Sequence, residues 1–159
     1  MNPQLVMYEE EYNHINVICE RLSRDLNAKV VFLVDKNGQL INAQGATADI
    51  DTTSLASLTA GNVAAMGGLA KLIGESEFPN QYHEGIRDSL HMTIVGPRVV
   101  LVVIFDTKGT PPGLVRLRMK KAAAELTTIF DGLLQKTEQP GAGSPFAEIT
   151  DDDIDNLFS

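Results

Sequence analysis

Hydrophobic residues at helical spacing predict three helices. In the first, over residues 8–26, apolar side chains recur every three or four positions, with acidic residues near its start and arginines near its end, as the helix dipole favours. In the second, Asp51 is placed to cap the N-terminus and Gly74 to end the helix. The third begins near Val115 and reaches Lys136 along an apolar seam with steps of three and four residues.

Shorter apolar runs between these helices predict five strands. They comprise residues 30–34, 40–43, 82–87, 90–94 and 99–105. The first two are joined by an Asp-Lys-Asn-Gly turn, which is typical of a hairpin. The third strand is predicted from the weakest hydrophobic pattern of the five. In the fourth, Leu90, Met92 and Ile94 alternate with His91 and Thr93, which predicts a half-buried strand.

The order of these elements is α-β-β-α-β-β-β-α. Short turns between consecutive strands favour an antiparallel sheet, and three helices are enough to cover both of its faces. The predicted fold class is therefore an α+β sandwich. With 159 residues, 43% of them hydrophobic and 21% charged, the chain has the composition of a single globular domain, which we assign to residues 1–136.

Charge and cysteine content narrow the functional classes. The net charge of −8 makes nucleic acid and anionic membrane surfaces poor partners, and the longest apolar run is too short to span a membrane. A single cysteine and no apparent signal peptide predict a reducing, cytoplasmic location. The six acidic residues after Lys136 account for −6 of the charge, which leaves −2 for the rest.

The C-terminal segment is predicted to be separate from the domain. Residues 137–145 have the proline and glycine content of a flexible linker, and residues 146–159 form an acidic tail. Within the tail, a helix-capping pattern precedes three apolar anchors, Ile154, Leu157 and Phe158, which predicts a short helix that forms on a partner. The alternative is an acidic end that only aids solubility.

The second helix lacks the charged outer face of an ordinary surface helix, since Lys71 is its only charged residue between Asp51 and Glu75. One side carries leucines, Met66 and Ile73, and the other carries small residues. Ala56, Ala60, Ala64 and Gly68 form a row with a spacing of four residues, which lets another backbone approach. The small face therefore predicts a surface for a second copy or a partner. Alternatively, the glycines kink or end the helix, or one chain buries it.

Three segments resemble the Roadblock/dynein light-chain superfamily, and within it bacterial regulators of gliding motility. The segments read DTTSLASLTAGNVAAMGGLAKLIGE at 51–75, AKVVFLVDKNGQLI at 28–41 and GAGSPFAEITDDDIDNLFS at 141–159. The resemblance implies a five-stranded antiparallel sheet with one helix on one face and two on the other. It also implies a homodimer whose sheets join edge to edge, with the two central helices side by side.

The resemblance further implies a cytoplasmic regulator of cell polarity, concentrated at a cell pole and without an active site of its own. Such a homodimer binds a Ras-like GTPase and accelerates GTP hydrolysis by rearranging the GTPase's own catalytic residues; the alternative is a scaffold or a nucleotide-exchange regulator. Other polarity proteins are candidate partners. The residues expected to contact the GTPase are Ala60, Ala64, Gly67, Gly68 and Lys71. An alternative mechanism is an arginine of this chain that enters the GTPase active site and speeds hydrolysis directly. The candidates are Arg87, Arg98, Arg116 and Arg118.

Other chemistry has little support in the sequence. The histidines are not spaced as metal ligands, no P-loop or serine-hydrolase motif occurs, and Cys19 lies on an apolar helix face, so no cofactor is expected. A small-molecule sensor would need a roomy pocket. Four basic residues lie near the start of the last helix: Arg116, Arg118, Lys120 and Lys121. They indicate either a solvated face or a surface for an acidic partner, with the chain's own acidic tail as one candidate.

Overall fold

A computed structural model describes residues 8–138 and confirms the predicted order of three helices and five strands. The helices are α1 (Glu9–Asp25), α2 (Thr52–Leu72) and α3 (Pro112–Glu138). The strands are β1 (Val30–Asp35), β2 (Leu40–Gly45), β3 (Asn80–His83), β4 (Asp88–Val95) and β5 (Val99–Asp106).

The five strands form one antiparallel sheet in the order β2-β1-β5-β4-β3. Helices α1 and α3 cover one face, and α2 lies on the other face against β1 and β2. Strands β1 and β5 are almost entirely buried because helices pack on both sides of them. The predicted α+β arrangement, with one helix on one face and two on the other, is confirmed.

Both predicted end signals of α2 are confirmed. The side chain of Asp51 accepts a hydrogen bond from the Ser54 backbone N–H at 3.1 Å, and its hydrogen bonds with Ser54 lower the pKa of the Asp51 carboxyl. At the other end, Gly74 has a φ of +87°, and the N–H of Glu75 donates to the carbonyl of Ala70 at 2.9 Å. This is a Schellman ending, which glycine favours because it has no Cβ.

The prediction for the third strand was wrong in position. Residues 82–87 were expected, whereas β3 is Asn80–His83 and pairs with Thr93 to Leu90 of β4. The chain turns tightly after β3, and a Cβ on Gly85 would collide with the carbonyl of Asp88. Because β3 is short and polar, it lacks the apolar run by which the other strands are found in the sequence.

The alternation in β4 predicted a half-buried strand, and the structure buries its polar face more completely than its apolar one. Ser89, His91 and Thr93 are buried, whereas Leu90 and Ile94 are only half-buried. The polar residues lie on the face covered by α3. The apolar ones lie on the α2 side, where Met92 is buried in the core but Leu90 and Ile94 are only partly covered. Part of the sheet's apolar surface is therefore left open.

Candidate functional site

Helix α2 is continuous through its three glycines, Gly61, Gly67 and Gly68. This excludes the interpretation that the glycines end the helix early, and the exposure of much of α2 excludes burial within one chain. A Cβ added at any of the three would meet no atom within 4 Å among the described residues. Packing inside the chain thus gives no steric reason for glycine at these positions, although each costs roughly 1 kcal/mol relative to alanine in a helix.

The faces of α2 are oriented differently from the sequence prediction. The small row was expected to face outward as a whole, but Ala56 is fully buried against the sheet, Ala60 is half-buried, and Ala64 and Gly68 are exposed. A spacing of four residues advances about 40° around a helix at each step, so the row winds from the core into solvent. Only its second half is available to a partner.

That second half lines a groove of about 400 Å³ on the α2 side of the molecule. The groove contains all five residues predicted to bind a partner. Its lining is Lys36, Ala60, Val63, Ala64, Gly67, Gly68, Lys71, Ser76 and Glu77. The lining thus consists mostly of small side chains and bare backbone, together with the charged side chains of Lys36, Lys71 and Glu77. A lining of small residues suits close approach by the main chain of another protein.

The wall of the groove opposite α2 is built by two connecting segments. Lys36, in the turn between β1 and β2, has its Nζ 2.7 Å from Oε1 of Glu77, in the segment after α2. The backbone N–H of Lys36 donates to the carbonyl of Arg98 at 2.8 Å, and that of Asn37 donates to Oδ1 of Asp35 at 2.7 Å. These contacts join the turn to the β4–β5 turn and to the segment after α2. The sequence predicted the turn but carried no signal that Lys36 and Glu77 would meet.

A second surface on α2 is apolar and exposed. It includes Leu58, Leu69, Leu72 and Ile73, with Leu72 84% exposed. On the same side of the sheet, Leu90, Ile94 and Ile104 are only partly covered. A monomer gains nothing from large apolar side chains turned toward water, and contiguous patches of this kind mark association surfaces.

The structure separates the four candidate arginines. Arg98 lies at the groove end of the sheet, where its guanidinium is 3.9 Å from Asp35. Arg87 lies at the opposite end, since its carbonyl accepts from the N–H of Thr107 beyond β5. Arg116 and Arg118 lie on α3, across the sheet from the groove. The structure brings only Arg98 near the groove, and there it already faces a carboxylate.

Other candidate chemistry finds little support within residues 8–138. No three histidine, cysteine or carboxylate side chains of this part are grouped to hold a metal ion, and none of its helices is long and apolar enough to cross a membrane. Burial in the core raises the pKa of the Cys19 thiol to about 12. A depression of about 540 Å³ lies beside β2, and its buried carboxylate, Asp35, is engaged by Asn37 and Arg98. The predicted tail anchors, Ile154, Leu157 and Phe158, lie outside the described residues.

Residues 15–105 match the model of the Roadblock/LC7 domain, and the chain belongs to this family of regulatory modules. Among solved structures it is similar to MglB of Myxococcus xanthus, with 75% sequence identity, a TM-score of 0.77 and coverage of 81% of this chain and 96% of that one. It is also similar to the gliding protein MglB of Thermus thermophilus, with 32% identity, a TM-score of 0.76 and coverage of 83% and 99%. The curated protein sequences contain no match.

More distant structures share the fold alone. A Roadblock/LC7 domain of Streptomyces avermitilis has 13% identity, a TM-score of 0.65 and coverage of 71% of this chain and 94% of that one. Profilin II of Acanthamoeba castellanii has 9% identity and a TM-score of 0.51, with coverage of 77% and 98%. The resemblance to the superfamily found in the sequence is confirmed, together with the specific likeness to MglB.

Proposed function

We propose that this chain is a regulator of a Ras-like GTPase of the MglA type and stimulates GTP hydrolysis by that GTPase. The observation that carries the proposal is the groove on α2. Its glycines keep open a space that no described atom of the chain fills, and its rim is set by the Lys36–Glu77 ion pair. Likeness to two MglB proteins supports a role in the same kind of process.

The active form in this proposal is a homodimer. The exposed leucines of α2 supply an apolar surface for a second α2, and full burial of one such side chain is worth roughly 1.5–3 kcal/mol. Strand β3 ends the sheet, so its free edge can pair with β3 of a second copy. A related MglB structure is described as having a tetrameric arrangement, which supports self-association in this group.

Stimulation in this proposal needs no catalytic residue from the chain. The dimer accelerates hydrolysis if it binds the hydrolysis-competent arrangement of the GTPase more tightly than the resting one, and each 1.4 kcal/mol of that preference is worth about a factor of ten. The groove suits this role because it offers shape and backbone rather than reactive groups. We place the protein in the cytoplasm, concentrated at a cell pole, with other polarity proteins as further partners and without nucleic acid or membrane insertion.

The test is phosphate release from the GTP-loaded MglA-type GTPase of the same organism. Ala64→Arg combined with Gly68→Arg should abolish stimulation by filling the groove, while circular dichroism shows an intact fold. Ala124→Arg, at an exposed alanine on α3, is the matched control and should leave stimulation unchanged. Full stimulation by the double variant would place the GTPase elsewhere on the molecule.

The alternative is a scaffold or a nucleotide-exchange regulator of the same GTPase. Binding without faster phosphate release would favour the scaffold, and faster release of a labelled GDP would favour exchange. The predicted C-terminal tail, residues 146–159, is a further candidate contact with the GTPase. Deletion of residues 146–159 is expected to weaken or retune binding to the GTPase, and unchanged affinity and unchanged exchange would remove the tail from the proposal.

A further inference from the structure

The first three turns of α3 carry a concentration of positive charge that the fold does not use. Arg116, Arg118, Lys120 and Lys121 are all exposed. Among the residues whose side chains the structure describes, none of the four forms an ion pair. By contrast, four other cations each face a carboxylate: Arg21, Lys29, Lys36 and Arg98.

This arrangement is unfavourable for the isolated helix. Arg116 and Lys120 are four residues apart, and Arg118 and Lys121 are three apart, so like charges are neighbours on the helix surface and repel each other. The first turn of α3 contains no acidic residue to offset them. Burial lowers the pKa of His91, beneath α3, and the charge of Arg116 lowers it further, so the field of Arg116 extends into the protein.

An exposed leucine lies in the middle of the four cations. At about 100° of rotation per residue from Arg116, Lys120 is at about 40°, Leu117 at about 100°, Lys121 at about 140° and Arg118 at about 200°. Leu117 is 64% exposed. It therefore has two cations on each side, a pattern that fits a ligand carrying a large apolar side chain between acidic groups.

We propose that Arg116, Leu117, Arg118, Lys120 and Lys121 form a docking surface for an acidic segment of another protein that presents a large apolar side chain. The surface lies on the face of the sheet opposite the α2 groove, so the partner and a groove-bound protein do not compete for the same residues. The inference is thus independent of the GTPase proposal.

The charge distribution favours a short protein segment over a membrane or a nucleic acid. Electrostatic interactions are screened over about 8 Å at physiological ionic strength, so a short segment experiences chiefly the local cations. A bilayer or a duplex extends far beyond that distance and also meets the remainder of a chain whose net charge is −8. The exposed Leu117 among the cations also favours a ligand with an apolar side chain over a simple anion.

The test uses the full chain and a fluorescein-labelled synthetic peptide of twelve residues, with six aspartates or glutamates around one phenylalanine. Fluorescence anisotropy should show binding that Arg118→Glu with Lys121→Glu weakens about tenfold, since the change removes two attractive charges and adds two repulsive ones. Leu117→Ser, or serine in place of the peptide's phenylalanine, should weaken binding several-fold. Lys108→Glu, a charge reversal at an exposed loop lysine, is the control.

Three outcomes would overturn the proposal. Binding that is indifferent to both serine substitutions would show simple charge attraction. Equal or tighter binding to vesicles with 30% phosphatidylserine, lost in the Arg118→Glu and Lys121→Glu variant, would indicate a membrane. A tenfold gain in peptide affinity when Asp151, Asp152 and Asp153 are changed to Asn in the full chain would show that the chain's own acidic segment occupies the surface. GTPase stimulation should be unchanged in all α3 variants.

Discussion

Lys36 Nζ and Glu77 Oε1 lie 2.7 Å apart and join the β1–β2 turn to the segment after α2 across one side of the groove. Both side chains are about one-third exposed, so their attraction is screened by solvent. We expect Glu77→Gln to lower the free energy of unfolding by less than about 1 kcal/mol, measured by urea denaturation. The same change should weaken GTPase binding several-fold because the groove wall loses its restraint. Glu75→Gln is the control, and equal effects of both variants would contradict a specific role for Glu77.

The glycines of α2 give a prediction in which stability and function move in opposite directions. Gly67→Ala and Gly68→Ala should each raise the free energy of unfolding by up to about 1 kcal/mol, because the added methyl meets nothing and alanine is the better helix former. Each should also reduce GTPase stimulation, because the methyl group occupies the groove. Gly61→Ala is the matched control, since Gly61 is equally open but does not line the groove. It should gain stability without losing stimulation.

If the Gly67→Ala and Gly68→Ala variants gain stability but stimulate the GTPase as well as the parent protein does, a partner does not use the groove. Loss of stability would instead show that the local backbone requires glycine, contrary to the helical conformation and open space observed there.

Much of this fold was predictable because its signals are local. The Asp51 cap, the Gly74 ending and the apolar strands β1 and β5 each depend on residues within a few positions of one another. The orientation of α2 on the sheet could not be predicted, because a helix that is apolar on nearly every side does not show in its sequence which side faces the core. The sheet determines which side of α2 is buried. Phe32 and Val34 of β1 occupy the space between the sheet and α2, and small or medium residues of α2 such as Ala56 and Val63 pack against them.

The candidate site was predicted in part for the same reason. All five residues expected to bind a partner lie on one stretch of helix, and the structure brings them into one groove. Lys36 and Glu77 come from elements 41 positions apart in the chain, and neither stands out in composition. Their pairing depends on where the connecting segments cross α2, which is a tertiary property.

His91 predicts a loss of stability in mild acid. It is buried between β4 and α3, its ring centroid is 6.3 Å from that of Tyr82, and its Nε2 has no hydrogen-bond partner among the described residues. Burial, with a further contribution from the charge of Arg116, lowers the pKa of His91 below 6.5. The unfolded chain therefore binds this proton at a higher pH than the folded one. The free energy of unfolding should fall as the pH drops below about 6.5, by at most about 1.4 kcal/mol per pH unit.

The measurement is urea denaturation at several pH values between 7.5 and 5. His91→Phe should reduce the slope over this range, whereas His83→Asn, at an exposed histidine of β3, should leave it unchanged. An identical slope in His91→Phe and the parent protein would assign the pH dependence to other groups.

The exposed apolar side of α2 predicts the oligomeric state. Leu69→Glu combined with Leu72→Glu places two charges where the proposed dimer buries leucines, and burial of an unpaired carboxylate is costly. The double variant should sediment as a monomer at micromolar concentration. Circular dichroism should show the fold retained, because in the single chain Leu72 is largely exposed and Leu69 is about half exposed. Leu117→Glu is the control, since Leu117 is also exposed but lies on α3, across the sheet. A double variant that remains dimeric would leave the β3 edge as the main contact, and β3 would then be the element to change next.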